Sequence, residues 1–403
     1  MIMKKNTIKA LTLDIKKDGW EKSRGFVMRD VPMPVLNEKK NPEDATSVVL
    51  KVRFAGVCGS DRGLWYRAAF KDMVQDSLKR EKKSMRITGH EFVGEIVSVG
   101  SMVRSLYSDT DPHNKAKIEV GSLVSGDSHV TCGRCYQCRI GEQNVCINEA
   151  ILGISIDGIF AEYVKIPAKN LWAVDEKRLR SEIAAIYDPF GNAVHACTKV
   201  DFRGQRVAIF GCGPIGLFSV LLARHFGAAK VIAVDISADN LKMAKKLGAH
   251  ETILIPKGNR KNSHESDFSV IDRIMKLTYG KGVDISMEMA GPFSSVNNCI
   301  DSTRRGGDVI LFGIKDGDLV IPKFSRLVVR GLTIHNIIGR QIFRTWQIAQ
   351  RILNDKSNGI QDAIWDVILK KGKGTILPFK NFTPDRFEKA MKENTKVIFK
   401  ING

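Results

Sequence analysis

The chain has 403 residues, of which 43% are apolar and 27% are charged. This length exceeds what one ordinary hydrophobic core supports, and the composition is that of globular proteins, so a small disulfide-stapled scaffold, a fibre and a disordered tail are excluded. The net charge of +19 raises nucleic acid as a partner, but the basic residues are scattered and lack interleaved aromatics, which favours a solvated surface and no nucleic-acid site.

Neither a membrane span nor a secretory leader is expected. The longest uncharged apolar stretch, residues 207–223, is interrupted by three glycines and a proline. Residues 1–20 carry no long apolar core and no cleavage site made of small residues. These observations predict a cytoplasmic protein with no membrane partner.

The N-terminal part is predicted to be rich in β-strands. Residues 47–57 and 92–100 alternate polar and apolar side chains and are rich in β-branched residues, which is typical of half-buried strands. Residues 66–86 and 104–118 are longer than simple turns require and are predicted to be insertions. The first insertion contains a basic cluster, which we expect to be a solvated helix face: Lys79, Arg80, Lys82, Lys83 and Arg86.

Four potential metal ligands are dispersed along the chain. They are Cys58 in VCGSDRG, His90 and Glu91 in ITGHEFVG, and Asp188 in YDPFGNAVH. Taken singly, each of these residues is more often a packed core residue than a ligand. Together they supply one thiolate, one imidazole and two carboxylates, a set suited to a catalytic zinc that exchanges one ligand.

A second set of ligands is compact. Cys132, Cys135, Cys138 and Cys146 lie within fifteen residues, in the segment CGRCYQCRIGEQNVC. Four thiolates at this spacing close a tetrahedral shell and leave no open position, so the segment predicts a structural zinc that stabilises its lobe. Disulfides and an iron–sulfur cluster are the alternatives, but a cytosolic chain disfavours the first and the spacing disfavours the second.

From about residue 189 the pattern changes to strands that alternate with helices, which predicts a doubly wound parallel sheet. The segment GCGPIG contains Gly211, Gly213, Ile215 and Gly216, follows the strand RVAIF and opens a helix. This context predicts that a dinucleotide pyrophosphate binds at the helix N-terminus. Asp235 ends the next strand, where a carboxylate accepts hydrogen bonds from ribose hydroxyls and repels a 2′-phosphate, so NAD is preferred over NADP.

The order of these motifs, CGSD, GHE, the four-cysteine lobe, DPFGNAVH and GxGxxG, resembles that of the zinc-dependent medium-chain dehydrogenases over nearly the whole chain. The resemblance implies an α/β fold in which a β-rich GroES-like catalytic domain, residues 1–187 and 336–403, contains an inserted Rossmann domain, residues 188–335. It also implies an active site in the cleft between the two domains.

The resemblance further assigns roles to residues. Cys58, His90 and Asp188 would hold the catalytic zinc, with Glu91 as a neighbouring ligand that exchanges with water or substrate. Ser60 would begin the proton relay. Together with the glycine-rich turn and Asp235, the residues expected to line NAD are Phe312, Gly313, Ile314, Ile337 and Ile338.

This chain departs from the family pattern in places. Gly63 stands where the relay continues to a histidine, which leaves water, Tyr66 or His195 as the proton's exit. Asp188 replaces a glutamate that is found in many relatives, and Asn240 replaces an arginine that is common after the ribose-binding acid.

The expected function is oxidation of a small secondary alcohol by NAD⁺ with two zinc ions per chain. The segments AAIYDPFGNAVH, FAEYVKIPA and IIGRQIFRTW look most like those of threonine-oxidising members, so L-threonine is the first choice and a polyol, cyclitol or sugar is the alternative. A zinc-stabilised nucleic-acid-binding protein is the alternative from another class. The resemblance also suggests a homodimer or homotetramer.

Overall fold

The computed structural model describes residues 6–21, 23–107, 117–256 and 264–402, so part of the predicted second insertion lies outside the described residues. The chain forms two compact units. The first comprises Met1–Pro189, Leu353–Lys356 and Leu369–Gly403, and the second comprises Phe190–Ile352 and Ser357–Ile368. The longest described helix has 12 residues, and no helix in the described ranges is long and apolar enough to cross a bilayer.

The first unit is built mainly from strands. In its N-terminal part these are β1 (Thr7–Asp14), β2 (Val27–Pro32), β3 (Ser47–Val57), β4 (Met85–Ile87), β5 (Glu91–Val99), β6 (Leu123–Gly126), β7 (His129–Val130), β8 (Ala150–Ile151), β9 (Tyr163–Pro167) and β10 (Leu171–Ala173). The short helices between them are α1 (Gly59–Trp65), α2 (Lys71–Arg80), α3 (Val103–Tyr107), α4 (Tyr136–Arg139) and α5 (Ser181–Ala184). The strands predicted at residues 47–57 and 92–100 are thereby confirmed as β3 and β5.

Strand β3 is the centre of this unit. It pairs with β5 and β9, and also with β18 (Val397–Lys400), which the chain contributes from its C-terminal end. The side chains of β3 are buried along almost the whole strand, and Leu50 contributes to a core with Phe92, Phe160 and Phe399. The C-terminal return is completed by α14 (Pro384–Glu393) and by β17 (Ile376–Pro378), which pairs with β18.

The basic cluster of the first insertion is not uniformly solvated. Lys79 and Arg80, at the end of α2, are exposed as expected. Arg86 lies on β4 with its side chain fully buried, 2.7 Å from Glu81 and 3.3 Å from Asp157. The prediction of a solvated face was therefore wrong for Arg86, because a buried guanidinium needs carboxylate partners and these two provide them.

The second unit is a doubly wound parallel sheet, which confirms the predicted fold class. After α6 (Tyr187–Cys197), its strands are β11 (Arg206–Phe210), β12 (Lys230–Asp235), β13 (Glu251–Leu254), β14 (Val283–Glu288), β15 (Thr303–Leu311) and β16 (Thr333–Asn336). All neighbours are parallel, in the order β13-β12-β11-β14-β15-β16. The accompanying helices are α7 (Pro214–His225), α8 (Ala238–Lys246), α9 (Phe268–Leu277), α10 (Phe293–Ser302), α11 (Ser325–Arg330), α12 (Arg344–Asn354) and α13 (Ile360–Ala363), followed by a π-helical turn, Ile364–Ile368.

The second boundary between the units differs from the expected residue 336. The chain after β16 remains bonded to the sheet unit, because the Ile337 N–H donates to the Leu311 carbonyl at 2.9 Å. The His195 ring likewise lies 2.9 Å from the Gly339 carbonyl through Nδ1. Residues up to Ile352 therefore belong with the parallel sheet, and the main return to the first unit begins at Leu369.

Candidate metal and cofactor sites

The four-cysteine lobe brings its sulfurs together around one point. Cys135 precedes α4, and Cys146 follows a single 3₁₀ turn. The Cys146 sulfur lies 3.6 Å from that of Cys132 and 3.8 Å from that of Cys135, and all four sulfurs lie within 4.8 Å of one another. In a zinc tetrahedron with bonds of about 2.3 Å the sulfurs are about 3.8 Å apart, so the spacing fits zinc.

The pKa values of these thiols are also consistent with a site that binds a cation. Backbone N–H groups of Arg134 and Cys135 lower the pKa of Cys132 to about 6. Burial and the neighbouring sulfurs raise the pKa of Cys138 to about 12. The surroundings also lower the pKa of Cys135, through a backbone N–H of Cys138. They therefore favour the thiolate form at Cys132 and Cys135 and oppose it at Cys138, whereas a divalent cation stabilises all four as thiolates.

A second cluster of ligand atoms lies where two segments of the first unit meet. The Cys58 sulfur, a His90 ring nitrogen and a Glu91 oxygen all lie within 4.8 Å of one another. Cys58 directly follows β3 and His90 directly precedes β5. Because β3 and β5 are antiparallel, with Gly56 opposite Glu91, strand pairing places these residues side by side. Three of the four dispersed ligands are thus gathered.

Asp188, the fourth predicted ligand, lies beside this cluster near the start of α6 and is buried. Its Oδ2 accepts a long hydrogen bond, 3.4 Å, from the Ser128 N–H. Burial raises the pKa of Glu91, and the charge of Asp188 adds to this rise, whereas Lys396 and His90 lower it. Among the described residues, however, Asp188 is not part of the group within 4.8 Å.

Sequence reasoning missed Asp61, which orients two of the ligands. This fully buried carboxylate accepts a hydrogen bond of 2.9 Å from the Cys58 N–H and lies 3.5 Å from Nδ1 of His90. Burial alone lowers the pKa of His90, but Asp61 raises it well above its usual value. In metal sites, a carboxylate beside one ring nitrogen of a histidine fixes the ring so that the other nitrogen can bind the ion. The signal available was the acidic residue three positions after Cys58.

The Ser60 hydroxyl lies 3.3 Å from Nε2 of His90, at the expected start of a proton relay. A side chain at Gly63 would place its Cβ 3.0 Å from the Ala69 Cβ. The start of the insertion therefore packs against the position where relatives have the relay histidine. Tyr66 ends α1 and is partly exposed.

Lys396 is a second residue that sequence reasoning did not identify. It lies just before β18, is almost completely buried, and forms an ion pair with Oε2 of Glu91. Its ammonium also donates a hydrogen bond of 2.9 Å to the Val57 carbonyl. A lysine at the start of a closing strand carries no local sequence signal for this contact.

The glycine-rich turn of the second unit has the geometry of a dinucleotide-binding loop. Gly211 has a φ of +97°, and a Cβ on Gly216 would lie 1.8 Å from the Gly211 carbonyl oxygen, so both positions require glycine. Gly213 faces open space and precedes α7, which includes Ile215. The turn therefore leaves room for an anion at the N-terminus of α7.

Asp235 lies at the end of β12, next to this turn. Its Oδ2 accepts from the Cys212 N–H at 2.5 Å, and its Oδ1 accepts from the Ser237 N–H at 2.7 Å. Each carboxylate oxygen has further lone pairs, so this fixed carboxylate can still accept hydroxyl groups of a ribose.

The remaining predicted cofactor residues follow β15 and β16. Glu288, which the sequence reading also missed, holds the first of these segments in place. Its Oε2 accepts from the Gly313 N–H at 3.1 Å, while its Oε1 accepts from Ala290 and Gly291. The carboxylate thus links the ends of β14 and β15 at the carboxyl edge of the sheet. Of the predicted cofactor residues there, Ile337 is buried, Phe312 is half-buried, and Ile314 and Ile338 are exposed.

Comparison with known proteins agrees with this geometry. A family model described as "Alcohol dehydrogenase GroES-like domain" matches residues 44–176, and one described as "Zinc-binding dehydrogenase" matches residues 214–355. The L-threonine 3-dehydrogenase of Bacillus subtilis (strain 168) is 34% identical over 352 residues, which cover 87% of this chain and 89% of that protein. The chain belongs to the zinc-dependent medium-chain dehydrogenases.

Solved structures share the fold over nearly the whole chain. The alcohol dehydrogenase TADH from Thermus sp. ATN1 has a TM-score of 0.75 at 22% identity and covers 98% of this chain and 100% of its own. Galactitol-1-phosphate dehydrogenase from Escherichia coli has a TM-score of 0.73 at 23% identity, with the same coverage. This protein is accordingly an alcohol dehydrogenase-type oxidoreductase that depends on zinc and a nicotinamide cofactor.

Proposed function

We propose that the protein oxidises a small secondary alcohol with NAD⁺, and that its substrate is L-threonine, which becomes 2-amino-3-ketobutyrate. The observation that carries the proposal is the convergence of Cys58, His90 and Glu91 in the first unit. The similarity to L-threonine 3-dehydrogenase of B. subtilis supports the choice of substrate.

In this proposal the first unit is the GroES-like catalytic domain and holds both metals. Cys132, Cys135, Cys138 and Cys146 hold the structural ion, while Cys58, His90 and Asp188 hold the catalytic ion with Glu91 as the exchanging ligand. When bound, zinc supplies Lewis acidity that makes an alcohol easier to deprotonate, and NAD⁺ accepts the hydride.

The chain's own residues position the proton. The Ser60 hydroxyl, 3.3 Å from Nε2 of His90, lies at the edge of the ligand cluster and can accept the substrate's proton and pass one on to water. A Cβ at Gly63 would lie 3.0 Å from the Ala69 Cβ, which is tighter than an ordinary contact, and this position carries no imidazole to continue the path. Water, the partly exposed Tyr66 or His195 takes the place of the histidine relay in the proposal.

Asp235 supports NAD over NADP. Its two oxygens are fixed by backbone N–H groups of Cys212 and Ser237, so the carboxylate cannot turn away from a ribose bound beside it. A 2′-phosphate at that position would face a fixed negative charge.

A polyol, cyclitol or sugar is the second candidate substrate. The feature that bears on this choice is the insertion carrying α2, which begins directly after α1 and approaches Gly63 through Ala69. The insertion lengthens the chain beside the residues proposed to move the proton, so it can reshape substrate selection.

A spectrophotometric assay of NADH formation tests the function. We expect activity with L-threonine and NAD⁺, loss of activity after chelation, and little activity with NADP⁺. D235S should raise the KM for NAD⁺ about tenfold, the loss expected when about 1.4 kcal/mol of binding is removed, while D239N on exposed α8 should not. Activity with sorbitol or inositol but none with threonine would replace the substrate, and no reduction of NAD⁺ by any alcohol would contradict the proposal.

We also propose a homodimer or homotetramer that forms at β16. This strand pairs only with β15 among the described strands and is thus an edge of its sheet. Ile334 on β16 and Val328 and Val329 on α11 are exposed. An unpaired sheet edge and exposed apolar side chains favour pairing with another chain. Light scattering that gave the mass of a single chain would contradict the assembly.

A further inference from the structure

The ion pair between Lys396 and Glu91 has a consequence for the catalytic metal. We propose that Lys396 is a positioning residue that holds one oxygen of Glu91 and so keeps this carboxylate a weak, exchangeable ligand of the metal. The inference rests on the proposed assignment of Cys58 and His90 as ligands, and it adds a determinant of metal exchange from the far end of the chain.

Three neighbouring strands create the contact. Glu91 is the first residue of β5, Val57 is the last residue of β3, and Lys396 directly precedes β18. The sheet order places β3 between β5 and β18, so Lys396 must reach across the end of β3 to meet Glu91. The Val57 carbonyl accepts a second hydrogen bond from the ammonium, at 2.9 Å, and this fixes the lysine over the strand end.

Gly56 provides the space for this arrangement. It is paired with Glu91 across the two strands, and a Cβ at Gly56 would lie 2.1 Å from Oε2 of Glu91. The oxygen that Lys396 binds therefore occupies the volume that any other residue at this position would fill. Both charged side chains are almost fully buried, at 0% exposure for Glu91 and 1% for Lys396.

The two oxygens of Glu91 consequently differ. Oε2 is engaged by Lys396, whereas Oε1 is buried and has no hydrogen-bond partner among the described residues. Glu91 belongs to the same ligand cluster as Cys58 and His90, so its free oxygen, Oε1, can be offered to a metal there. A carboxylate that shares its charge with a lysine can offer one oxygen to a metal, but it cannot bind bidentately without breaking the ion pair.

Removing the lysine should therefore strengthen Glu91 as a ligand. A buried carboxylate that loses its cation is destabilised as an anion unless it takes up a proton or pairs with another positive charge. In the holoenzyme, the metal held by Cys58 and His90 would supply such a charge, so the carboxylate would turn both oxygens toward it. A lysine with only a structural role would have the opposite effect, since its loss would loosen the strand ends and speed up metal release.

The test measures zinc release from the holoenzyme to a chromogenic chelator, together with the visible spectrum of the cobalt-substituted protein. K396M should slow release from the catalytic site about tenfold, because a neighbouring positive charge is removed and a ligand is freed. Release from the four-cysteine lobe should not change, and this provides an internal control. The cobalt spectrum of K396M should shift as its coordination changes, and K396R should restore both readouts.

The double variant separates this role from general electrostatics. In K396M/E91Q neither partner carries a charge, so a buried pair is replaced without leaving an unpaired ion, and the protein should fold. The effect of K396M should fall below about threefold when E91Q is present, because the freed carboxylate is gone. Release from K396M that is as fast as or faster than wild type, or an equal effect of K396M with and without E91Q, would overturn the inference. These readouts need no substrate, so failure to oxidise threonine would refute the proposed function and leave this inference standing.

Discussion

The two metal sites of the first unit are assembled in different ways. In the four-cysteine lobe, every ligand comes from one segment of fifteen residues, and short turns gather the sulfurs. In the second cluster, the ligands come from residues that are 32 positions apart in sequence, Cys58 and His90, and pairing of β3 with β5 brings them together. The first site depends on local spacing, and the second depends on the whole sheet.

The largest difference should appear when a lobe ligand is removed. C135S should lose the lobe's zinc and lower the thermal midpoint by about 10 °C, because about 3 kcal/mol of metal-dependent stability is lost. Zinc content measured by mass spectrometry of the metal, together with calorimetry, would show this. C58S is the matched control: it should keep the lobe zinc and its midpoint within about 2 °C of wild type, but abolish NAD⁺ reduction. A lobe that kept its zinc in C135S would contradict the four-thiolate assignment.

A smaller effect is expected from changing Asp61, the residue that contacts two of the dispersed ligands, Cys58 and His90. D61N keeps the size of the side chain but removes the charge opposite Nδ1 of His90 and weakens the acceptor for the Cys58 N–H. Affinity for the catalytic zinc should fall about 10- to 100-fold, as is typical when a partner of a metal ligand is changed.

Competition with a chelator measures that affinity. D72N, on exposed α2 in the same unit, should behave as wild type. An unchanged zinc affinity in D61N would contradict the view that the dispersed site depends on residues beyond its ligands.

The smallest effect is expected at the cofactor loop, which is also assembled across strands. E288Q should raise the KM for NAD⁺ about threefold to tenfold with little change in kcat. The amide nitrogen of the glutamine would face the Gly313 N–H, so a hydrogen bond that stabilises the loop by about 1 kcal/mol would be lost. Fluorescence titration with NADH provides a readout that is independent of turnover. D272N, exposed on α9, is the control. A fall in kcat with no change in NADH binding would contradict the role of Glu288 in stabilising the cofactor loop.

Hydrophobic alternation was sufficient to predict the main strands. Residues 47–57 form β3, as predicted, because β-branched residues suit a pleated surface. The segment RVAIF followed by GCGPIG forms β11 and α7, because glycines permit a tight turn from a strand into a helix. The basic cluster shows the limit of such reasoning. Charge in the sequence favoured solvent for Arg86, yet Glu81 and Asp157 allow it to be buried.

The sequence by itself determined the local features: the spacing of four cysteines, the glycines of the nucleotide-binding turn and the order of motifs. Their causes lie within a few residues, in turn geometry and ligand chemistry. Only the tertiary structure decided which distant charges meet. Asp61 reaches His90, Glu288 reaches Gly313 and Lys396 reaches Glu91 because the chain pairs strands that are far apart in sequence, and a buried charge is stable only where such pairing places a partner.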